Sequence, residues 1–121
     1  MKIAMHSDQG ETLLKLARDS LREALGVPAV SAPVQDWLME HGACFVTLTQ
    51  QDRLRGCIGT LEAHRPLVED VRANARAAAL LDSRFAPLAP HELPYTRIEI
   101  SVLSGMEPLQ FEDENDLFKQ L

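Results

Sequence analysis

The sequence predicts an α+β domain, and three observations predict it. Apolar residues recur at helical spacing in two segments, near 9–25 and 66–82. Between them, residues 43–49 and the run from Leu54 are rich in β-branched and aromatic side chains, which indicates the two strands of a hairpin. Residues 95–104 alternate apolar and polar side chains, as a half-buried strand does. For a chain of 121 residues we expect a single domain over 1–121 with one hydrophobic core.

The first helix is expected from about Gln9 to Leu25. Asp8 and Glu11 have the spacing of a capping box, which is typical of a helix start. Gly26 follows the last apolar residue of the pattern and is expected to end the helix. The proline-containing stretch after it predicts a connector with a short helical turn around Trp37.

The hairpin is expected to turn at the polar residues QQDR. With a four-residue loop over Gln50–Arg53, Val46 lies opposite Cys57, and Cys44 lies diagonally from it on the same face. The turn has no Asn-Gly or Asp-Gly pair, the dipeptides that favour a two-residue hairpin loop.

A second helix is expected to begin at Pro66, which suits a first turn, and its alanine-rich half favours close packing on a sheet. The proline-rich stretch after it predicts irregular structure. Beyond the last predicted strand, Gly105 and Pro108 are expected to form a turn, and residues 112–121 to begin a helix.

The charge balance argues against a nucleic-acid partner. The chain has 12 Lys and Arg against 18 Asp and Glu, a net charge of −6, and its basic residues are dispersed. Nucleic-acid backbones are bound by clustered basic residues that release counterions. We therefore expect neither DNA nor RNA as a partner.

Neither a membrane span nor a metal site is expected. The longest apolar runs, such as Ala77–Leu81, are far shorter than the roughly 20 residues needed to cross a bilayer. The first residues carry no apolar secretory signal, so we expect a cytoplasmic protein with reduced thiols. Two cysteines, and four histidines without HxH or HExxH spacing, predict no metal ion and no cofactor.

The stretch LRGCIGT, residues 54–60, carries the candidate functional site. Glycines inside a strand cost stability, so Gly56 and Gly59 suggest that a ligand approaches the backbone there. Strand alternation puts Arg55 and Cys57 on one face, where the guanidinium favours the thiolate. We predict Cys57 and Arg55 as catalytic residues and both glycines as substrate-binding residues. The alternative also stays open: a buried cysteine that packs as a small hydrophobe, with glycines that mark a bulge.

Two charged residues extend this site. Glu99 lies in the middle of IEISVL, where a carboxylate on a covered face needs a cation such as Arg84 or Arg55. On an exposed face, it is simply the polar half of the alternation. Arg84, in DSRFAPL, suits a two-bond contact with a carboxylate, either that of Glu99 or that of a ligand. We predict Glu99 as catalytic and Arg84 as substrate-binding, and leave the base for the thiol open between His64 and His91.

Three motifs together, LRGCIGT, DSRFAPLAPHEL and IEISVLSGMEPL, resemble the AMMECR family in order and spacing. Bacterial members are called protein A of the AmmeMemoRadiSam system. The opening SDQGETLLKLARDSLREALG resembles the family's first helix, so the resemblance spans nearly the whole chain. It implies an antiparallel sheet flanked by helices, an intracellular location, and a cleft lined by Leu54–Gly59. It also implies an incomplete domain, because family domains continue past the equivalent of Leu121.

The resemblance implies site residues and partners as well. Residues carried over one by one are Arg55, Gly56, Cys57, Gly59, Arg84, Phe85, Glu99 and Ser101. The implied partners are a small-molecule ligand and Memo-type or radical-SAM proteins of a shared pathway, and an uncovered strand edge suggests a homodimer. Two functions stay open: a small-molecule enzyme or accessory protein, and a non-catalytic protein–protein interaction or scaffold module.

Overall fold

Two helices cover one face of a four-stranded antiparallel sheet in the computed structural model of this chain, which describes residues 7–29, 34–104 and 107–112. The strands lie in the order β2-β1-β3-β4, with β1 Ala43–Gln50, β2 Arg53–Gly59, β3 Arg97–Ser104 and β4 Glu107–Glu112. The core lies between the helices and alternate residues of β1 and β3. The predicted α+β class and the antiparallel sheet are confirmed.

The first helix, α1, spans Ser7–Ala24 and begins two residues earlier than predicted, so Asp8 lies inside it rather than before it. Its buried stripe recurs every four residues, as an amphipathic helix requires. The buried residues of this stripe are Leu13, Ala17 and Leu21. Gly26 ends the helix with a φ of +76°, and the Val27 N–H donates to the Arg22 carbonyl at 2.7 Å, the closing bond of a Schellman motif.

The second helix, α2, spans Leu67–Leu80, directly after Pro66 as predicted, and lies against β1, β2 and α1. The helical turn expected around Trp37 is a 3₁₀ helix over Asp36–Met39. A further 3₁₀ helix, Pro90–Tyr95, lies in the proline-rich segment and was not predicted. No helix of the described residues has the length and apolar character that crossing a bilayer requires.

The hairpin register differs from the predicted one. The loop has two residues, Gln51 and Asp52, both with positive φ, instead of four. A bulge then leaves Arg55 without a partner on β1, so Thr47, and not Val46, lies opposite Cys57. The predicted register is wrong because the inserted residue shifts every later pair by one.

The C-terminal part of the sheet also differs from the prediction. Pro108 lies in β4 opposite Leu103, not in a turn. An edge strand accommodates proline because one side of its backbone has no partner strand to receive an N–H. Gly105, and all but the first residue of the helix predicted over 112–121, lie outside the described residues.

A buried polar network ties the start of α2 to β1 and to the end of β2. The fully buried Asp70 carboxylate accepts hydrogen bonds from the Cys44 N–H at 2.8 Å, the Thr60 hydroxyl at 2.8 Å and Arg65 Nε at 2.7 Å. Asn74, one turn further along, donates to the Cys44 carbonyl at 2.9 Å. Burial, aided by the Asp70 charge, raises the pKa of the Cys44 thiol far above its usual range. Cys44 is therefore a core residue.

Replacing Asp70 with Asn should lower the free energy of unfolding by about 2–4 kcal/mol, because buried donors lose a charged acceptor. The matched control is Glu69→Gln, an exposed carboxylate at the adjacent position of α2, whose effect should stay within about 0.5 kcal/mol. Urea unfolding of both variants measures the difference. Equal stability of the two variants would show that the network contributes little.

Candidate functional site

Cys57 lies on the sheet face opposite α1 and α2, which we call the outer face. Its sulfur is 3.2 Å from the Thr47 hydroxyl, and the residue is half-buried. Thr47 pairs with Cys57 on one side and with Glu99 on the other, so a thiol, a hydroxyl and a carboxylate lie in one row across three strands. At about 4.8 Å between neighbouring strands, the row spans about 10 Å. We call this the Cys57 row.

Thr47, the middle member of the Cys57 row, was not predicted as a site residue from the sequence. Thr47 belongs to the alternation of ACFVTLT, where it has the same pattern as any half-exposed strand residue. The signal that could have identified it is the strand register, which depends on the bulge at Arg55, beside one of the two glycines that the alternative interpretation took as bulge markers. Glu99 is half-buried on the outer face, and its catalytic role stays a prediction.

A carboxylate that was not predicted, Asp82, holds the edge of β2 beside Cys57. Its Oδ2 accepts the Cys57 backbone N–H at 3.0 Å. The Arg84 guanidinium binds the same carboxylate through two bonds, Nε to Oδ1 at 3.0 Å and Nη2 to Oδ2 at 2.7 Å, and lies over the Phe85 ring. Arg84 therefore makes a two-bond contact with a carboxylate, but the partner is Asp82 and not Glu99 or a ligand, and its role in substrate binding stays a prediction.

These contacts keep Asp82 and Arg84, two charged side chains near Cys57, in their ionised forms. The hydrogen bonds from Arg84, followed by the one from the Cys57 N–H, hold the pKa of Asp82 well below its usual range. The Asp82 hydrogen bond is the main cause that raises the pKa of Arg84, and Cys57 acts in the same direction. The guanidinium predicted beside Cys57 was that of Arg55; in the structure Arg84 and the Cys57 N–H share the Asp82 carboxylate.

The Arg55 guanidinium binds the segment that follows α2. It binds Glu92, with Nε to Oε2 at 3.1 Å and Nη2 to Oε1 at 3.2 Å, and donates to the Ala86 carbonyl at 2.8 Å. Partial burial alone would raise the pKa of Glu92, but the hydrogen bonds, of which the Arg55 bond is the largest, lower it to about 2. Arg55 lies at the bulge of β2, and its guanidinium is bound by Glu92 of the second 3₁₀ helix. A catalytic role for Arg55 stays a prediction.

Protein atoms occupy the space beside each of the two motif glycines, where a side chain would lie. A Cβ on Gly56 would lie 2.1 Å from the Ala78 carbonyl oxygen of α2, and a Cβ on Gly59 would lie 2.1 Å from the Phe45 ring. The expectation that the missing side chains leave open space is therefore wrong, since a helix and a ring occupy it. Contact of either glycine with a substrate stays a prediction.

The histidines offered as bases lie apart from the Cys57 row. His64 is exposed, and its Nδ1 is 2.9 Å from the Glu62 carbonyl oxygen. His91 lines an open groove of about 520 Å³ at the β1–β2 turn, which Arg55 also lines and Cys57 does not. Within 7–29, 34–104 and 107–112, no three His, Cys, Asp or Glu side chains are grouped as metal ligands.

Comparison with known proteins decides the family. The AMMECR1 family profile matches residues 14–120, nearly the whole chain. The chain belongs to the AMMECR1 family. The sequence of a protein from Methanothermobacter thermautotrophicus is 39% identical over 120 residues, which is 96% of this chain and 62% of that protein. A protein from Sulfolobus acidocaldarius is 37% identical over 90% of this chain and 51% of its own length.

A solved AMMECR1-type structure agrees with the fold. The crystal structure of uncharacterized protein PH0010 from Pyrococcus horikoshii has a TM-score of 0.68 and 37% sequence identity to this chain. The match covers 77% of this chain and 50% of that one. The chain therefore spans between half and about three-fifths of the length of these AMMECR1 relatives.

Substitution by alanine should lower the free energy of unfolding by different amounts at the two motif glycines. Gly56→Ala should lower the free energy of unfolding by about 2–3 kcal/mol, because its Cβ meets backbone of α2 that cannot move alone. Gly59→Ala should cost less, because the Phe45 side chain can rotate away. Thermal and urea unfolding of both variants test this order, and a reversed order would contradict the packing explanation.

The Arg55–Glu92 pair should make stability sensitive to acid. The folded-state pKa of Glu92 is about 2, below its ordinary value of 4.5, so its stabilising effect is complete above pH 4.5 and lost as the pH falls toward 2. Glu92→Gln should remove about 1–3 kcal/mol of that acid dependence. Unfolding between pH 2 and pH 7 measures it, with Glu69→Gln as control. The part of the acid dependence contributed by Asp82 should remain in Glu92→Gln.

Proposed function

We propose that this AMMECR1 chain binds a small molecule on the outer face beside Cys57, as an enzyme or accessory protein. The observation that supports it is the Cys57 row. A half-buried thiol lies within hydrogen-bond distance of the Thr47 hydroxyl on the next strand, and the Glu99 carboxylate lies one strand further. The Arg84 guanidinium binds Asp82, the carboxylate that also accepts the Cys57 N–H. A thiol, a hydroxyl and a carboxylate in sequence are the groups that nucleophilic thiol chemistry uses. The cleft formed by the motif is part of the same proposal.

The chemistry of the row suggests roles for its members. In such a step the Cys57 sulfur adds to a carbonyl carbon of the ligand, the π electron pair of the C=O bond moves to the ligand oxygen, and the thiol proton passes through the Thr47 hydroxyl to the Glu99 carboxylate. Arg84 would attract an anionic group of the ligand, since its guanidinium is more than half exposed even while it holds Asp82. Gly56 and Gly59 shape the strand, and Arg55 holds the segment after α2 in place.

The proposed setting is the cytoplasm, in a pathway shared with Memo-type proteins and radical-SAM enzymes. The support for a reducing compartment is that Cys44 and Cys57 are both free thiols. The support for the pathway is membership of the AMMECR1 family, whose bacterial members carry the AmmeMemoRadiSam name. A homodimer is also proposed, because β4 is an edge strand of the described sheet.

One observation favours a second function, a non-catalytic interaction or scaffold module. Three features expected to serve a ligand serve packing instead: Arg55 binds Glu92, and the two motif glycines accommodate α2 and an aromatic ring. In this function Cys57 is a packing residue, and its sulfur has no chemical role.

Alkylation of the native protein separates the two functions. Iodoacetamide should label Cys57 without denaturant and leave Cys44 unlabelled, because Cys44 is fully buried and its pKa is strongly raised by burial. Mass spectrometry of digested protein reports each site, and denaturant should expose both. If Cys57 also reacts only after denaturation, the packing function is the correct one.

The role of the Thr47 hydroxyl has a matched test. Thr47→Val should slow the labelling of Cys57 about tenfold, because the thiolate loses a hydrogen bond. Thr49→Val is the control, since Thr49 lies two residues along β1 and pairs with Leu54. Equal rates in the two variants would remove Thr47 from the proposed site.

A further inference from the structure

We propose a second binding site, for a phosphate-bearing small molecule, in the groove at the β1–β2 turn. This groove has a volume of about 520 Å³ and lies between the turn and the second 3₁₀ helix, Pro90–Tyr95. We call it the turn groove. Its size is within the range of small-molecule sites, roughly 300–1,000 Å³. Cys57 is not among the residues that line it, so this proposal does not depend on thiol chemistry.

One wall of the turn groove is fixed and electrically neutral. Glu92 is bound by Arg55, by the Gln50 side-chain amide at 3.0 Å and by the Ala89 N–H at 2.9 Å. Its carboxylate is therefore satisfied inside the protein, and its pKa of about 2 keeps it ionised and paired. The wall brings no unpaired negative charge that would repel an anion.

The other lining groups carry unused hydrogen-bond donors. Within the described residues, the side chains of Arg53, His91 and Tyr95 form no hydrogen bond and no ion pair. They come from two different elements, β2 for Arg53 and the 3₁₀ helix for the other two. Because the Arg55 charge is cancelled by Glu92, the guanidinium of Arg53 is the excess charge of the groove.

The donors fit phosphate better than carboxylate. A phosphate group offers three oxygens to a guanidinium, an imidazole and a phenol, whereas a carboxylate offers two. The organic part of the ligand has an apolar surface to rest on, since Tyr95 is 50% exposed and Leu54 is 42% exposed at the same groove. An aromatic ring and a phosphate in one molecule, as in a nucleoside monophosphate, use both features.

The turn itself supports a site here. Gln51 and Asp52 have φ values of +52° and +63°, and Gln51, unlike Asp52, is not among the glycine, asparagine and aspartate residues that this geometry favours. Backbone held in the left-handed region costs about 1–3 kcal/mol per residue and is found preferentially at binding sites. Gln51 lines the groove, and Asp52, the acidic residue of the turn, does not.

Titration of the 121-residue chain with adenosine monophosphate, followed by two-dimensional NMR, tests the proposal. Saturable shifts should be centred on Arg53, His91 and Tyr95 and should weaken as ionic strength rises. Inorganic phosphate should compete, and adenosine should bind much more weakly. Absence of saturable binding of either phosphate probe, or shifts centred away from the turn groove, would overturn the proposal.

Variants identify the groups involved. Arg53→Ala should raise the dissociation constant of adenosine monophosphate about tenfold, because one charge-assisted contact is lost. Arg76→Ala is the matched control, an exposed arginine of α2 outside the groove, and should leave it unchanged. Cys57→Ser should bind as the parent does, which separates this site from the Cys57 row. Equal losses in Arg53→Ala and Arg76→Ala would show unspecific attraction and refute the site.

Discussion

The close approach of α2 to β2 at Gly56 is the constraint on which the rest of the structure depends. The Ala78 carbonyl occupies the place where any side chain at position 56 would lie, so the helix can approach only over a glycine. Both ends of α2 are then attached to the sheet by carboxylates. Asp70 binds the Cys44 N–H near the beginning of the helix, and Asp82 binds the Cys57 N–H just after its end. These three contacts, at Gly56, Asp70 and Asp82, fix the position of α2 on the β1–β2 hairpin.

The segment after α2 takes its course from two ion pairs. Arg84 binds Asp82 next to the edge of β2, and Arg55 binds Glu92 further along. Arg55 additionally donates to the Ala86 carbonyl at 2.8 Å, which fixes the segment to the LRGCIG motif at a second point. Two arginines that the sequence assigned to the site therefore hold the protein's own chain, and of the two the Arg84 guanidinium stays more than half exposed.

Asp82 also limits the pairing of the edge strand β2 with another chain. An edge strand presents N–H groups that can pair with another chain, and a side-chain acceptor on one of them blocks such pairing locally. The Cys57 N–H on β2 is satisfied in this way. The sulfur of the same residue points to the outer face, toward Thr47. The Cys57 backbone N–H is thus bound within the fold, while its side chain lies at the proposed site. The turn groove lies further along the same strand.

How much the sequence predicts depends on whether the signal is local. The two helices, the hairpin and β3 follow from periodicity, because the side-chain pattern of one segment already determines which face it can bury. The family was also readable, since three motifs in fixed order carry it. The positions of Cys57 and Glu99 on the outer face could not be joined into one row, because that needs the register of β1 with both neighbours.

Tertiary structure alone decided the rest. A single bulge at Arg55 shifted the hairpin register, and although interior glycines can mark a bulge, they do not say which pairs of the two strands it separates. The partner of Arg55, Glu92, lies 37 residues away, and the contact of Asp82 with the Cys57 N–H spans 25 residues, so both depend on how the segment after α2 folds back on β2. Periodicity determined the elements because it acts within a few residues; contacts between elements determined the site, because they depend on register and on close packing at glycine.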